Sequence, residues 1–117
     1  MPVSQEEKEY AAFVVDLMQS VGPVNVKSMF GGFGIFLHGV MFALLYESVL
    51  YFKVDHEIED EFKQRGLEPF RYTQRGKEMK MSYYQAPEET IEDEDEMNHW
   101  AVKAYDAALR AASKKKN

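Results

Sequence analysis

The sequence predicts an α+β fold of two layers, a largely antiparallel sheet with helices packed on one side. Three observations predict it. Short apolar and aromatic runs fill the stretch from Phe33 to Val54 and are separated by two-residue turns. Links that short force antiparallel pairing, because a parallel crossover takes a dozen residues or more. Apolar residues at helical spacing frame this region near both ends of the chain. A length of 117 residues suits one hydrophobic core. The chain therefore reads as a single domain, 1–117, with its core in about 4–112 and a frayed basic tail at 113–117.

The first helix is expected over Ser4 to Val21. Tyr10, Phe13, Val14, Leu17, Met18 and Val21 make one apolar stripe, and Ser4 with Glu7 has the form of a capping box. Gly22-Pro23 ends it. Val26 to Met29 is a candidate first strand. Phe33 to Leu37, Val40 to Tyr46 and Val49 to Val54 follow, turning at His38-Gly39 and Glu47-Ser48. In the last of these, Leu50, Phe52 and Val54 take one side, Tyr51 and Lys53 the other.

Asp55 is placed to cap a helix from His56 to about Arg65 whose narrow apolar contact is Ile58 and Phe62. Phe70 to Gln74 and Lys77 to Tyr84 form a second hairpin across Arg75-Gly76. Met79, Met81 and Tyr83 are assigned to its core side and Lys80, Ser82 and Tyr84 to solvent. Beyond Pro87 an acidic stretch leads into a final helix to about Ala112. Its stripe is Met97, Trp100, Ala101, Ala104, Tyr105 and Ala108, and Asp93 with Glu96 resembles a second capping box. The order is helix, three or four strands, helix, two strands, helix.

Composition narrows the function. With no cysteine, thiol nucleophiles, disulfides and cysteine-held metals are excluded, and a reducing cytoplasm fits. The longest apolar run, Val40 to Tyr46, is strand-sized, and the N-terminus lacks the pattern of a secretory signal. A net charge of −6 argues against autonomous DNA binding, which depends on neutralising phosphates with Lys and Arg.

Gly31-Gly32-Phe33-Gly34 suggests a phosphate loop, but such loops open a helix and this one opens a strand. It reads instead as a bulge or tight strand start where a side chain would collide with neighbouring backbone. His38, His56 and His99 lack a second ligand at metal-site spacing. Ser28 reads as a strand residue, not a nucleophile at a strand-to-helix elbow. The acidic run Glu88 to Glu96 lacks the central glycine of a calcium loop and reads as a helix start. No catalytic residue, cofactor or metal site is expected. The candidate interaction surface is a basic-aromatic sheet face made of Tyr51, Lys53, Arg71, Lys80 and Tyr84, with Arg75 nearby.

Five segments recur in a familiar order. They are Met29-Phe30-Gly31-Gly32-Phe33-Gly34-Ile35-Phe36, Val40-Met41-Phe42-Ala43-Leu44, Leu50-Tyr51-Phe52-Lys53-Val54-Asp55, Pro69-Phe70-Arg71-Tyr72 and Met81-Ser82-Tyr83-Tyr84-Gln85-Ala86-Pro87-Glu88-Glu89. Together they resemble the N-terminal domain of the TfoX/Sxy family, bacterial regulators of competence for DNA uptake, over about residues 5–113. The resemblance implies a fold similar to the secretion chaperones and no enzyme activity. It also implies transcriptional regulation of competence genes through a protein partner, a transcription factor such as the cyclic-AMP receptor protein. Family regulators carry a second, C-terminal helical domain that this sequence, ending at Asn117, does not show, so a stand-alone N-terminal domain is expected. A homodimer is expected, and a small acidic dimer that holds a protein client, as a chaperone does, is the alternative reading.

Overall fold

A computed structural model describes residues 3–115, the side chains of Gln74, Met79, Lys80 and Lys115 excepted. Helix α1 (Gln5–Leu17) opens with the expected capping box. Ser4 Oγ accepts from the Glu7 amide at 3.1 Å, and the Ser4 amide donates to Glu7 Oε1 at 3.0 Å. The helix stops before Val21. Its end tightens into a turn in which the Val21 amide donates to the Met18 carbonyl, and this swings the chain toward Gly22 while Met18 stays buried.

Strands β1 (Val24–Met29), β2 (Gly32–Leu37), β3 (Val40–Tyr46) and β4 (Val49–Lys53) form a meander. Helix α2 (Glu59–Gln64) then leads to β5 (Pro69–Gln74) and β6 (Lys77–Gln85), and a 3₁₀ turn at Glu88–Ile91 precedes α3 (Glu94–Lys115). Among the described residues the strands make one sheet in the order β1-β2-β3-β4-β6-β5, antiparallel throughout. The first strand begins at Val24, earlier than predicted, because Val24 pairs with Leu37 across the hairpin. Helix α3 runs past the predicted Ala112, and Lys116 and Asn117 lie outside the described residues.

Four hairpins turn on two residues each: Phe30-Gly31, His38-Gly39, Glu47-Ser48 and Arg75-Gly76. All eight residues have positive φ, the mark of type I′ turns whose twist matches that of the strands. The helices cover one side of the sheet. There Ile35, Ala43, Leu45, Leu50, Phe52 and Tyr84 share one buried cluster with Val14 of α1 and Met18 at its C-cap, Phe62 of α2, and Met97, Trp100 and Ala104 of α3. The alanines of α3 let its backbone approach the sheet closely. A register shift between Ile35 and Phe36 adds a bulge. Phe42, on the partner strand there, meets Tyr105 edge-on at 5.8 Å.

Asp55 does not cap α2 as the sequence suggested: the N-cap position falls at Ile58, which makes no side-chain capping bond. Asp55 Oδ1 accepts from the Glu57 amide at 3.1 Å, making a turn, and α2 starts only at Glu59.

Candidate functional site

The opposite side of the sheet carries a second cluster. Leu44, Phe70 and Tyr83 are buried there, with Phe30, Met41, Tyr46, Tyr51 and Tyr72 packed partly exposed around them. Phe70 lies at the centre, its ring centroid 4.9 Å from that of Tyr51, 5.4 Å from Tyr46 and 6.2 Å from Phe30.

Phe30 reaches this cluster from the far side of the sheet. It sits in the β1–β2 turn, whereas Phe70 and Tyr72 belong to β5. In a flat sheet the four strand spacings from β2 to β5 would separate them by roughly 19 Å. Ring centroids 6.2 and 6.0 Å apart therefore require this face to curl into a concave surface. The bulge between Pro69 and Arg71 adds local twist at the far edge.

Phe30 holds a left-handed backbone, φ 43°, which costs a bulky residue about 1–2 kcal/mol. The ring contacts it gains across the concave face offset that cost. Gly31, at φ 79°, completes the turn. Gly32 has no room for a side chain, since a Cβ there would stand 2.2 Å from the Leu45 carbonyl oxygen. Beneath Met29, Phe36 and Met41, Gly34 leaves a gap into which those three side chains lean.

The five residues of the expected basic-aromatic face do not share one side. Tyr51 and Lys53 lie on the open face, and the Lys53 ammonium sits 5.3 Å from the Tyr83 ring centroid. Tyr84 corrects the sequence assignment. It pairs with Phe52, faces the helices, is 3% exposed, and its hydroxyl donates to Glu59 Oε2 at 2.9 Å. Its neighbour Tyr83 pairs with Lys53 and takes the open side instead. Phe70 and Tyr72 occupy the open side of β5, so Arg71 between them points to the helix side. It lies near Glu68 and Glu78, at 3.6 and 3.7 Å. The Lys80 side chain lies outside the described residues.

Sequence reasoning missed Phe30, Tyr46, Phe70, Tyr72 and Tyr83 as members of a face. The alternation Phe70-x-Tyr72 was a usable signal; Phe30, in a turn, offered none.

Burial pushes the Tyr83 hydroxyl up to about 12. Tyr51 is also raised, by burial first and then by the nearby Glu47 carboxylate and Tyr46 phenol. Both stay neutral donors at physiological pH, so the face offers apolar rings edged by hydroxyls. Among the described residues no group of three or more His, Asp or Glu side chains is arranged to hold a metal ion. Nor is any described helix long and apolar enough to cross a membrane.

A family model described as the TfoX N-terminal domain matches residues 16–108, a span that includes all six strands. The chain belongs to this family. It is also similar to the DNA transformation protein TfoX1 of Aliivibrio fischeri (strain ATCC 700601 / ES114), with 29% identity over 86 residues. That match covers 74% of this chain and 39% of the relative, so this TfoX N-terminal domain spans under half the relative's length. The matched span contains Phe30, Tyr46, Tyr51, Phe70, Tyr72 and Tyr83, and thus the whole concave aromatic surface.

Proposed function

We propose that this chain is a non-enzymatic, cytoplasmic regulatory protein of the TfoX type, tied to DNA transformation as its relative's name is, and that it acts by binding another protein. The observation that carries this reading is the concave aromatic face, where tyrosine side chains surround a buried aromatic centre on the side of the sheet opposite the main core. Tyr-rich patches with a buried aromatic centre are well suited to protein recognition. The net charge of −6 disfavours nucleic acid as the direct ligand. The partner class that fits the family is a transcription factor, with the cyclic-AMP receptor protein as the first to test.

Titrating the purified receptor protein, with cyclic AMP, into the full chain by isothermal calorimetry tests the reading. Saturable binding is expected for the wild type, and Tyr46→Ser and Tyr72→Ser should each weaken it about tenfold without loss of the folded circular-dichroism spectrum. Absence of binding excludes this partner. Binding that both variants retain excludes this face.

A further inference from the structure

β1 forms one edge of the sheet. In a two-residue hairpin the residues flanking the turn exchange both hydrogen bonds, and bonded pairs then alternate along the ladder. Met29–Gly32, Lys27–Gly34 and Asn25–Phe36 are thus the bonded pairs. The backbone groups of Val24, Val26 and Ser28 point outward, and of these the Val24 amide is taken by the Gly22 carbonyl.

Edge strands are normally blunted by proline, bulges or outward charge. The other edge, β5, has such devices, beginning at Pro69, bulging between Pro69 and Arg71, and carrying Arg71. β1 pairs with β2 without a register shift and contains no proline. Its one charged residue, Lys27, has its ammonium drawn back over the Phe36 ring at 4.9 Å. Beside it Val26 is 37% exposed, and the groove between β1 and α1 is lined by Lys8, Ala11, Ala12, Val15, Val26 and Phe33. None of these is acidic, although the chain carries 20 acidic residues.

We propose that β1 pairs with β1 of a second copy of this chain, antiparallel about a two-fold axis through Val26. A two-fold axis perpendicular to the sheet keeps the helix sides together, so each residue faces one on the same side of its own strand. Centring on Val26 sets Val24 opposite Ser28 and uses every outward-pointing residue. It also sets Lys27 opposite Asn25. Centring on Lys27 would place two lysines directly opposite each other, which is destabilising. Centring on Asn25 would leave Ser28 unpaired. An acidic chain meets its own copy most favourably along an acid-free strip, and the Val26 side chains and the grooves beside them close together there. The contact uses the sheet edge and leaves the concave aromatic face free, so it is independent of the partner reading above.

Sedimentation equilibrium of the full chain from micromolar to submillimolar concentration tests it. The expected result is reversible association from 13.6 kDa to twice that mass. Val26→Lys should raise the dimer dissociation constant at least about tenfold while its thermal melt stays that of a folded monomer. Because the chain has no cysteine, Val26→Cys supplies a single thiol per copy, and mild oxidation should join two copies through it. Lys27→Cys should join them far more slowly. A wild type that stays at 13.6 kDa throughout overturns the proposal. So does a dimer that Val26→Lys leaves intact, or one that Lys27→Cys cross-links as fast as Val26→Cys.

Discussion

Arg110 of α3 grips Asp55, just past the end of β4, with both arms of its guanidinium: Nε to Oδ2 at 2.6 Å and Nη2 to Oδ1 at 3.1 Å. The pair ties the second half of α3 to the turn that starts α2. Glu57 Oε2 stands 3.0 Å from the same Nε, and the Asp55 side chain is 12% exposed. The hydrogen bond from Arg110 is the main cause that holds the Asp55 carboxyl below its ordinary value of 3.8, outweighing the effect of burial. A lowered folded value means that the carboxylate stabilises the fold fully above the ordinary value. That contribution is lost as pH falls from about 3.8 through the lowered value. Arg110→Ala should cost about 1–2 kcal/mol at neutral pH, between an exposed pair and a fully buried one. It should also flatten the acid limb of the stability curve, as urea midpoints measured from pH 2 to 7 will show.

The glycines of the first hairpin should differ sharply in tolerance. At Gly32 a methyl group would meet the Leu45 carbonyl oxygen at 2.2 Å, and neither paired strand can yield. Gly32→Ala should therefore cost at least about 3 kcal/mol. At Gly34 the nearest obstacles are the Met29 sulfur at 2.6 Å, Phe36 Cε1 at 3.0 Å and the Met41 sulfur at 3.2 Å, all side-chain atoms rather than backbone, and the two methionines can swing aside. Gly34→Ala should cost about 1 kcal/mol or less. Chemical denaturation of the two variants side by side checks the contrast.

Glu47 and Ser48 both hold left-handed backbone, φ 51° and 61°, without a glycine between them. Replacing the pair by Asn-Gly, the preferred sequence for this turn, should stabilise the protein by about 1 kcal/mol or more. The readout is the melting temperature, with the far-ultraviolet spectrum unchanged.

Tyr83 and Tyr84 are neighbours on β6 with opposite roles. Tyr84→Phe removes the hydrogen bond to Glu59 and should cost about 1 kcal/mol of stability with no effect on partner binding. Tyr83→Phe should remove the phenol that ionises only near pH 12, visible as a loss of the late phase in an ultraviolet titration at alkaline pH.

The elements were legible in the sequence because each is declared locally. Ser4 and Glu7 mark the start of α1, glycine follows a left-handed partner in three of the hairpin turns, and the stripe of alanines and large apolar residues in α3 repeats at helical spacing. Two-residue links left no alternative to antiparallel pairing, so the fold class followed from the sequence alone. What it could not set was which side of β6 the helices cover. Alternation places Tyr83 and Tyr84 on opposite faces but does not name the faces. Pairing with β4 made that choice, by setting Tyr84 beside Phe52 and Tyr83 beside Lys53. Nor could spacing bring Phe30 to Phe70, since the turn and β5 meet only when the whole sheet curls. The sequence by itself determined the strands, turns and helices, because those depend on local backbone preference and side-chain period. The tertiary structure alone decided the aromatic face, because that depends on inter-strand register and sheet curvature, which no local stretch encodes.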